Sequence, residues 1–178
     1  LIRQLLDAFG IRRFELDGYE ADDIIGTLTR LADDWDKRVL VVTGDKDMLQ
    51  LASDRVTIAL TRKGISETDR YDPQAIHDKY GIKPGQIIDL KGLMGDTSDN
   101  IPGIPGIGEK TGLKLLHQYG TVEEVLAHVE ELKGKMRERV SEHADDAIMS
   151  KQLATIYREV PVTIKWEDMA WSGYDDKT

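Results

Sequence analysis

Apolar residues in this chain recur first at helical spacing, then as short uniform runs, then at helical spacing again to the end. Ile2, Leu5, Leu6 and Phe9 share one helix face, and Gly10 supplies a stop. Residues 11–16 read as a short strand. A helix opens within Asp17-Gly18-Tyr19-Glu20-Ala21-Asp22-Asp23, with Ile24, Ile25, Leu28 and Leu31 as its apolar stripe. Residues 38–43, Arg-Val-Leu-Val-Val-Thr, are too few for a helix and uniform enough to predict a strand buried on both faces, as parallel strands are. Gly44-Asp45-Lys46-Asp47 follows at its end. A short helix over 48–52 and a strand over 56–61 continue an alternating α/β pattern, which implies parallel strands joined by right-handed crossovers.

From Asp72 the strand signal nearly vanishes. Helices are predicted over 73–80 and 84–94, each with proline in its first turn, then over 109–119, 122–132, 135–143 and 144–158 after a Gly/Pro/Asp-rich stretch from Gly95 to Gly108. A terminal strand is expected over 162–165. The change of texture places a boundary near Tyr71, between an α/β part (1–71) and a helical part (72–178). No long linker, repeat or low-complexity tract interrupts either part.

Composition narrows the chemistry. With 40% hydrophobic and 32% charged residues and no apolar run near the ~20 residues that cross a bilayer, a transmembrane reading is excluded. The absence of cysteine removes disulfides, thiol nucleophiles and Cys-based zinc sites, and fits an intracellular protein. A net charge of −9 over 178 residues argues against holding nucleic acid by bulk positive charge. The acids concentrate between Glu15 and Asp54, however, whereas Arg62, Lys63, Lys79, Lys83, Lys91, Lys110 and Lys114 roughly balance the acids farther on. Aromatic content of 6% is too low for a base-stacking platform for single strands. Because Leu1 already lies in a predicted helix, the chain is expected to be a piece of a longer protein.

Three acidic clusters stand where an α/β sheet gathers ligands or where turns fold back: Glu20, Asp22 and Asp23; Asp45 and Asp47; Asp96 and Asp99. Each has an ordinary explanation. The first pair of clusters suits helix first turns and caps, and Gly-Asp-Thr-Ser-Asp-Asn suits a hydrogen-bonded turn. Jointly they point to a cation, because two unit charges about 4 Å apart repel by roughly 4 kcal/mol at an effective dielectric of 20. Carboxylates without cysteine favour hard Mg²⁺ or Mn²⁺ over zinc, and the four histidines, His77, His117, His128 and His143, are scattered over helices. Two such ions held together suit phosphodiester hydrolysis by water.

Ile101-Pro102-Gly103-Ile104-Pro105-Gly106-Ile107-Gly108-Glu109-Lys110-Thr111 supplies a second half. Glycines spaced by apolar residues before a helix allow close backbone approach and expose amides, the makings of a phosphate cradle, and Lys110 and Lys114 add charge on one face. Such a loop reads the phosphate backbone and carries little base specificity.

These four segments, Gly18 to Asp23, Thr43 to Asp47, Gly92 to Asn100 and Ile101 to Thr111, resemble the ordered motifs of the flap endonuclease/5′-nuclease family, and more narrowly its 5′-3′ exonuclease domains fused to bacterial DNA polymerase I. The resemblance runs from the first helix to about Trp171. It implies an incomplete parallel-sheet, PIN-like nuclease core followed by a helical subdomain with a helix-three-turn-helix grip on duplex DNA. By the resemblance Glu20, Asp22, Asp23, Asp45, Asp47, Asp96 and Asp99 are metal-site acids for two or more Mg²⁺ or Mn²⁺ ions. The same resemblance implies that Gly103, Gly106, Ile107, Gly108, Lys110, Thr111 and Lys114 contact DNA bearing a 5′ flap or nick, and that the carbonyls of Ile104 and Ile107 would be those to hold a monovalent cation such as K⁺. A polymerase domain in the same parent chain, work in primer removal and repair, a bacterial cytoplasmic setting at the nucleoid and no membrane partner follow from the same resemblance. The family's first strand, with its metal-binding aspartate, and its threading arch do not precede Leu1. Little nuclease activity is therefore expected of this chain alone, with weak salt-sensitive duplex binding retained. Two readings compete: a non-catalytic duplex-binding module, and a phosphotransferase of the haloacid-dehalogenase type, whose Asp-x-Asp after a strand Asp45 and Asp47 imitate.

Overall fold

Strand β1 (Val39–Thr43) forms where the β-branched run predicts it in the computed structural model, which describes residues 1–62 and 67–173. It pairs in parallel with β2 (Val56–Thr61), Val41 opposite Ile58 and Thr43 opposite Leu60. The sheet then departs from an all-parallel expectation. A third strand, β3 (Thr68–Tyr71), runs antiparallel to β2 with Ile58 opposite Tyr71, so the order is β1-β2-β3 and the sheet is mixed. Its polar sequence, Thr-Asp-Arg-Tyr, carries no apolar alternation and hid it. Burial of β1 on both faces is also corrected: Val41 is buried, but Leu40 and Val42 are 49% and 62% exposed. Among the described residues β1 has a single paired neighbour, so it is an edge strand. Lys63, one of the balancing bases, lies outside the described residues.

The chain divides into two compact units, Leu1–Lys37 with Tyr157–Thr178, and Arg38–Ile156. In the first, α1 (Ile2–Ala8) and α2 (Ala21–Asp34) form as predicted. The expected strands at 11–16 and 162–165 do not form. Arg13 pairs instead with Asp7 at 3.0 Å, and Arg12 Nε donates to Asp168 O at 2.9 Å, so side chains rather than a ladder organise these segments. The C-terminal strap lies along α2, where Val160 N donates to the buried Thr27 hydroxyl at 3.0 Å and Arg30 Nε to Arg158 O at 2.8 Å. Of the predicted stripe on α2 only Ile24 is fully buried; Thr27 and Thr29 are buried with it because the strap covers their side of the helix.

In the second unit α3 (Pro73–Tyr80) starts on Asp72, whose carboxylate accepts from Ala75 N at 2.8 Å, and stops at Gly81. The predicted 84–94 helix begins as a 3₁₀ turn, Pro84–Gln86, and becomes α4 (Ile87–Met94). After the glycine loop come α5 (Glu109–Tyr119), α6 (Val122–Ala127), α7 (Gly134–Glu142) and α8 (Ala144–Ala154). The predicted 122–132 helix breaks at His128, past which Val129–Glu131 tightens into a 3₁₀ turn. The predicted 144–158 helix stops at Ala154 because Gln50 clamps its end, donating to Ala154 O at 2.9 Å and accepting from Ile156 N at 3.0 Å.

Helix α4 packs against α8 and carries a buried acid, Asp89. Its carboxylate accepts from Val122 N at 2.9 Å, the first amide of α6, and meets Lys151 Nζ of α8 at 2.8 Å. One side chain thus ties three helices, and a buried charge is tolerated only with such partners. Asp89→Ala leaves that amide and that ammonium without this partner. It is expected to destabilise the protein by about 2–4 kcal/mol in urea unfolding, against under about 1 kcal/mol for the exposed Glu123→Ala.

Candidate metal centre

The carboxyl end of β1 feeds directly into the site. Asp45 takes an extended conformation and caps the following 3₁₀ turn, Lys46–Leu51, by accepting from Asp47 N at 2.9 Å. That cap turns Asp47 inward, where it is 9% exposed, while Asp45 stays at the surface. The expected helix over 48–52 is this tighter turn, which starts two residues earlier because the Asp45 cap fixes its start.

Asp96 and Asp99 arrive from a different part of the chain. Helix α4 ends at Gly95, and a tight reversal closes through Asp96 and Ile101, whose amides and carbonyls exchange two bonds of 2.8 Å. Ser98 donates its amide to Asp96 Oδ1 at 2.8 Å and its hydroxyl to the same oxygen, which holds the loop carrying Asp99. The result is that Asp47, Asp96 and Asp99 each offer an oxygen within 4.8 Å of the others. They line a cleft of about 550 Å³ together with Asp45, Tyr80 and Lys91.

Lys91, one helical turn before the end of α4, places its ammonium between two of these acids. Its Nζ lies 2.6 Å from Asp47 Oδ1 and also bonds Asp96 Oδ2. The lysine and the aspartates move each other's protonation. Lys91's hydrogen bonds, with help from Ser98, pull Asp96 down to about 2. Burial pushes Asp47 up despite the Lys91 contact, and the neighbouring Asp45 and Asp96 add to the rise. Burial alone would lower Lys91, but its two carboxylate partners outweigh it and the ammonium is held above its usual range. Asp47 Oδ1 is buried, and the Lys91 ammonium 2.6 Å away is the positive charge that meets it there. A buried carboxylate oxygen facing a cationic group, with two further carboxylates beside it, is the donor set a hard divalent cation takes. Sequence reasoning counted Lys91 only as one of several balancing bases. Its spacing to Asp96, across the end of α4 and one glycine, is the signal that could have singled it out.

The remaining predicted residues fall as follows. Glu20 caps α2 in the first unit, its amide bonded to Asp23 Oδ2 at 3.3 Å. Asp23 also accepts from Tyr157 N at 2.9 Å, and Asp22 Oδ1 accepts from Asp23 N at 2.9 Å. These bonds give the first cluster a structural role within its own unit. The glycine loop folds as the spacing predicts, with Gly108 capping α5 and Lys110 and Lys114 exposed on that helix. Gly103 is obligatory. Its φ is +58°, and a Cβ there would lie 2.2 Å from Gly95 N, because the loop crosses directly over the end of α4. Ile104 N bonds Leu93 O at 2.8 Å and Gly103 N bonds the buried Ser150 Oγ at 2.9 Å, which fixes the loop between α4 and α8. Ile104 O accepts from Ile107 N at 3.0 Å, so one of the two carbonyls expected to hold K⁺ already closes a turn.

Two family models cover nearly the whole chain: the N-terminal resolvase-like domain of 5′-3′ exonuclease over residues 1–81, and its C-terminal SAM fold over 82–177. The chain belongs to the 5′-3′ exonuclease family. Over 176 residues it is 53% identical to DNA polymerase I of Bacillus caldotenax, covering 98% of this chain and 20% of that polymerase. It thus spans about a fifth of the length of the curated relatives it matches. Among solved structures, bacteriophage T5 5′-exonuclease with bound zinc superposes with a TM-score of 0.74 at 24% identity, over 88% of this chain and 59% of the phage chain. The T5 flap endonuclease in a pseudo-enzyme-product complex with DNA and metal ions gives 0.71, again at 24% identity, over 81% and 52%. At that identity the likeness is one of fold. Membership of the exonuclease family and the three-acid cluster together support divalent-metal use. Among the described residues no helix is long and apolar enough to cross a membrane.

Replacing Lys91 tests the charge balance without any metal. Asp96 is held low, so its contact stabilises the fold above the ordinary carboxyl range and loses that contribution as pH falls from about 4 towards 2. Lys91→Met removes this acid limb and leaves Asp47 buried beside like charges, which favours its protonated form. The variant is expected to lose about 2–4 kcal/mol near neutrality and to recover part of it on acidification, the reverse of the wild-type trend, in pH-resolved denaturant unfolding.

Proposed function

We propose that this chain is the metal-dependent 5′-nuclease module of a DNA polymerase I, acting on duplex DNA with a 5′ flap or nick. The observation that carries the reading is the meeting of Asp47, Asp96 and Asp99, far apart in sequence, at one cleft beside β1. Asp47, Asp96 and Asp99 would hold Mg²⁺ or Mn²⁺, with Asp45 fixing the turn that aims Asp47. Bound there, such ions supply charge neutralisation and Lewis acidity for in-line hydrolysis of a phosphodiester by water. The carboxylates position cations and do not attack; no Ser-His or Cys-His pair is required. Lys91 Nζ keeps Asp47 and Asp96 close to each other by neutralising them.

Glu20, Asp22 and Asp23 are proposed as further acids of the same machinery on their motif alone. The backbone of Gly103, Gly106, Ile107 and Gly108 and the side chains of Lys110, Thr111 and Lys114 are proposed to grip the sugar-phosphate backbone, with K⁺ on the carbonyls of Ile104 and Ile107. The proposed boundary between nuclease core and DNA-binding part lies near Tyr71, and the setting is the bacterial cytoplasm, at the nucleoid, with a polymerase domain in the same parent. DNA and metal ions accompany the T5 flap endonuclease of similar fold, which supports both ligands.

A non-catalytic duplex-binding module is favoured by one observation: Lys91 already neutralises two of the three acids. Divalent-ion titration separates the readings. In the nuclease reading Mn²⁺ or Mg²⁺ at about 100 times its Kd raises Tm by roughly 5–10 °C. Asp96→Asn and Asp99→Asn are expected to abolish the rise and any metal-dependent cleavage of a 5′-flap duplex. A Tm that stays flat throughout the titration, with duplex binding intact, leaves only the binding module.

A further inference from the structure

The glycine loop has a cationic neighbour that its own motif does not contain. Arg139, in the last turn of α7, lies directly on Gly106: a Cβ built there would fall 2.2 Å from Arg139 Nη1 and 2.9 Å from Cζ. Only a glycine admits the guanidinium this close, and Gly106 adopts φ +81° to present its α-carbon. Among the described residues the Arg139 side chain donates no hydrogen bond and meets no carboxylate, although acids outnumber bases 33 to 24 in the chain. Arg137, two positions earlier on the same helix, is paired with Glu130. A favourable charge at a helix end accounts for a base anywhere in this turn, but not for its seating on the loop. Lys110 and Lys114 on α5 are likewise exposed and without carboxylate partners among the described residues. Three cations without carboxylate partners among the described residues therefore stand on the helices beside the loop, with Glu109 as the acid in the first turn of α5 and Gly108 at its start without a side-chain cap.

We propose that Arg139 and the Gly106 backbone form a phosphate-diester subsite that extends the duplex grip from α5 onto α7. The planar fork of a guanidinium matches two non-bridging phosphate oxygens, and an unpaired fork loses no internal bond on engaging them. Because phosphate contacts carry no base information, this subsite adds affinity and register without sequence preference. The inference rests on the duplex-binding reading above and adds a residue from outside the glycine motif.

The test is fluorescence anisotropy on the full chain, without divalent ions, using two labelled blunt duplexes of unrelated sequence over a salt series. Arg139→Gln is expected to weaken binding about 5- to 10-fold equally on both duplexes and to lower the slope of log K against log salt by about one. Arg139→Lys is expected to keep the slope and recover only part of the affinity, because an ammonium lacks the fork. An unchanged Tm establishes that each variant is folded. Wild-type affinity and slope in Arg139→Gln, with Lys110→Ala weakened, overturn the subsite and leave the duplex-binding reading standing. No duplex binding by the wild-type chain overturns both. Competition by inorganic phosphate beyond its ionic-strength effect, lost in Arg139→Gln, assigns the site to free phosphate and overturns the diester assignment.

Discussion

A carboxylate can be turned into a protein interior only if a positive charge comes to meet it, and the contact of Asp47 with Lys91 is where this chain satisfies that requirement. Everything at the cleft follows from it. The Asp45 cap forces Asp47 inward, burial would then favour the neutral acid, and the Lys91 ammonium opposes this while drawing Asp96 to the same point. The lysine does for the protein alone what a cation does for a cluster of acids, and it holds two of the three oxygen donors near one another.

Helix α4 makes the two halves of the proposed function one mechanical object. Lys91 faces the acids, Asp89 ties α6 and α8, and the carbonyl of Leu93 anchors Ile104 in the glycine loop. The loop crosses the helix end so closely that Gly103 has no room for a side chain. A phosphate bound at the loop and a cation bound at the acids would therefore both be positioned by the C-terminal end of the same eight-residue helix. In such an arrangement precision comes from a buried scaffold, with the charges at its rim.

Much of this was legible in the sequence, and the failures share a cause. The β-branched run of β1, the proline-led helix α3 and the Gly108 start of α5 were read correctly because local propensity and tertiary context agree there. Strand β3 is invisible because Thr-Asp-Arg-Tyr forms a strand only by pairing with the apolar β2. The expected strands at 11–16 and 162–165 fail for the opposite reason: they pair with no strand among the described residues, and Arg12 and Arg13 of the first bond to side chains and a carbonyl elsewhere. Helix α8 ends at Ala154 through Gln50, more than a hundred positions away, which no local signal reports. At the candidate site the acids announced themselves through motif and spacing. Lys91 and Arg139 did not, since a base on a helix is the commonest of surface residues until its neighbours are known.

Net charge is a poor guide to what such a surface can hold. At −9 the chain repels a polyanion as a whole, yet electrostatics beyond about 10 Å is screened at ordinary ionic strength, so a phosphate responds to the charges immediately around it. Around the glycine loop those charges include the cations Lys110, Lys114 and Arg139, free of carboxylate partners among the described residues, beside the single acid Glu109 in the first turn of α5, and around the cleft they are acids that a hard cation would neutralise. Lys91 is the exception, a base given over to the acids so that one of them can be buried.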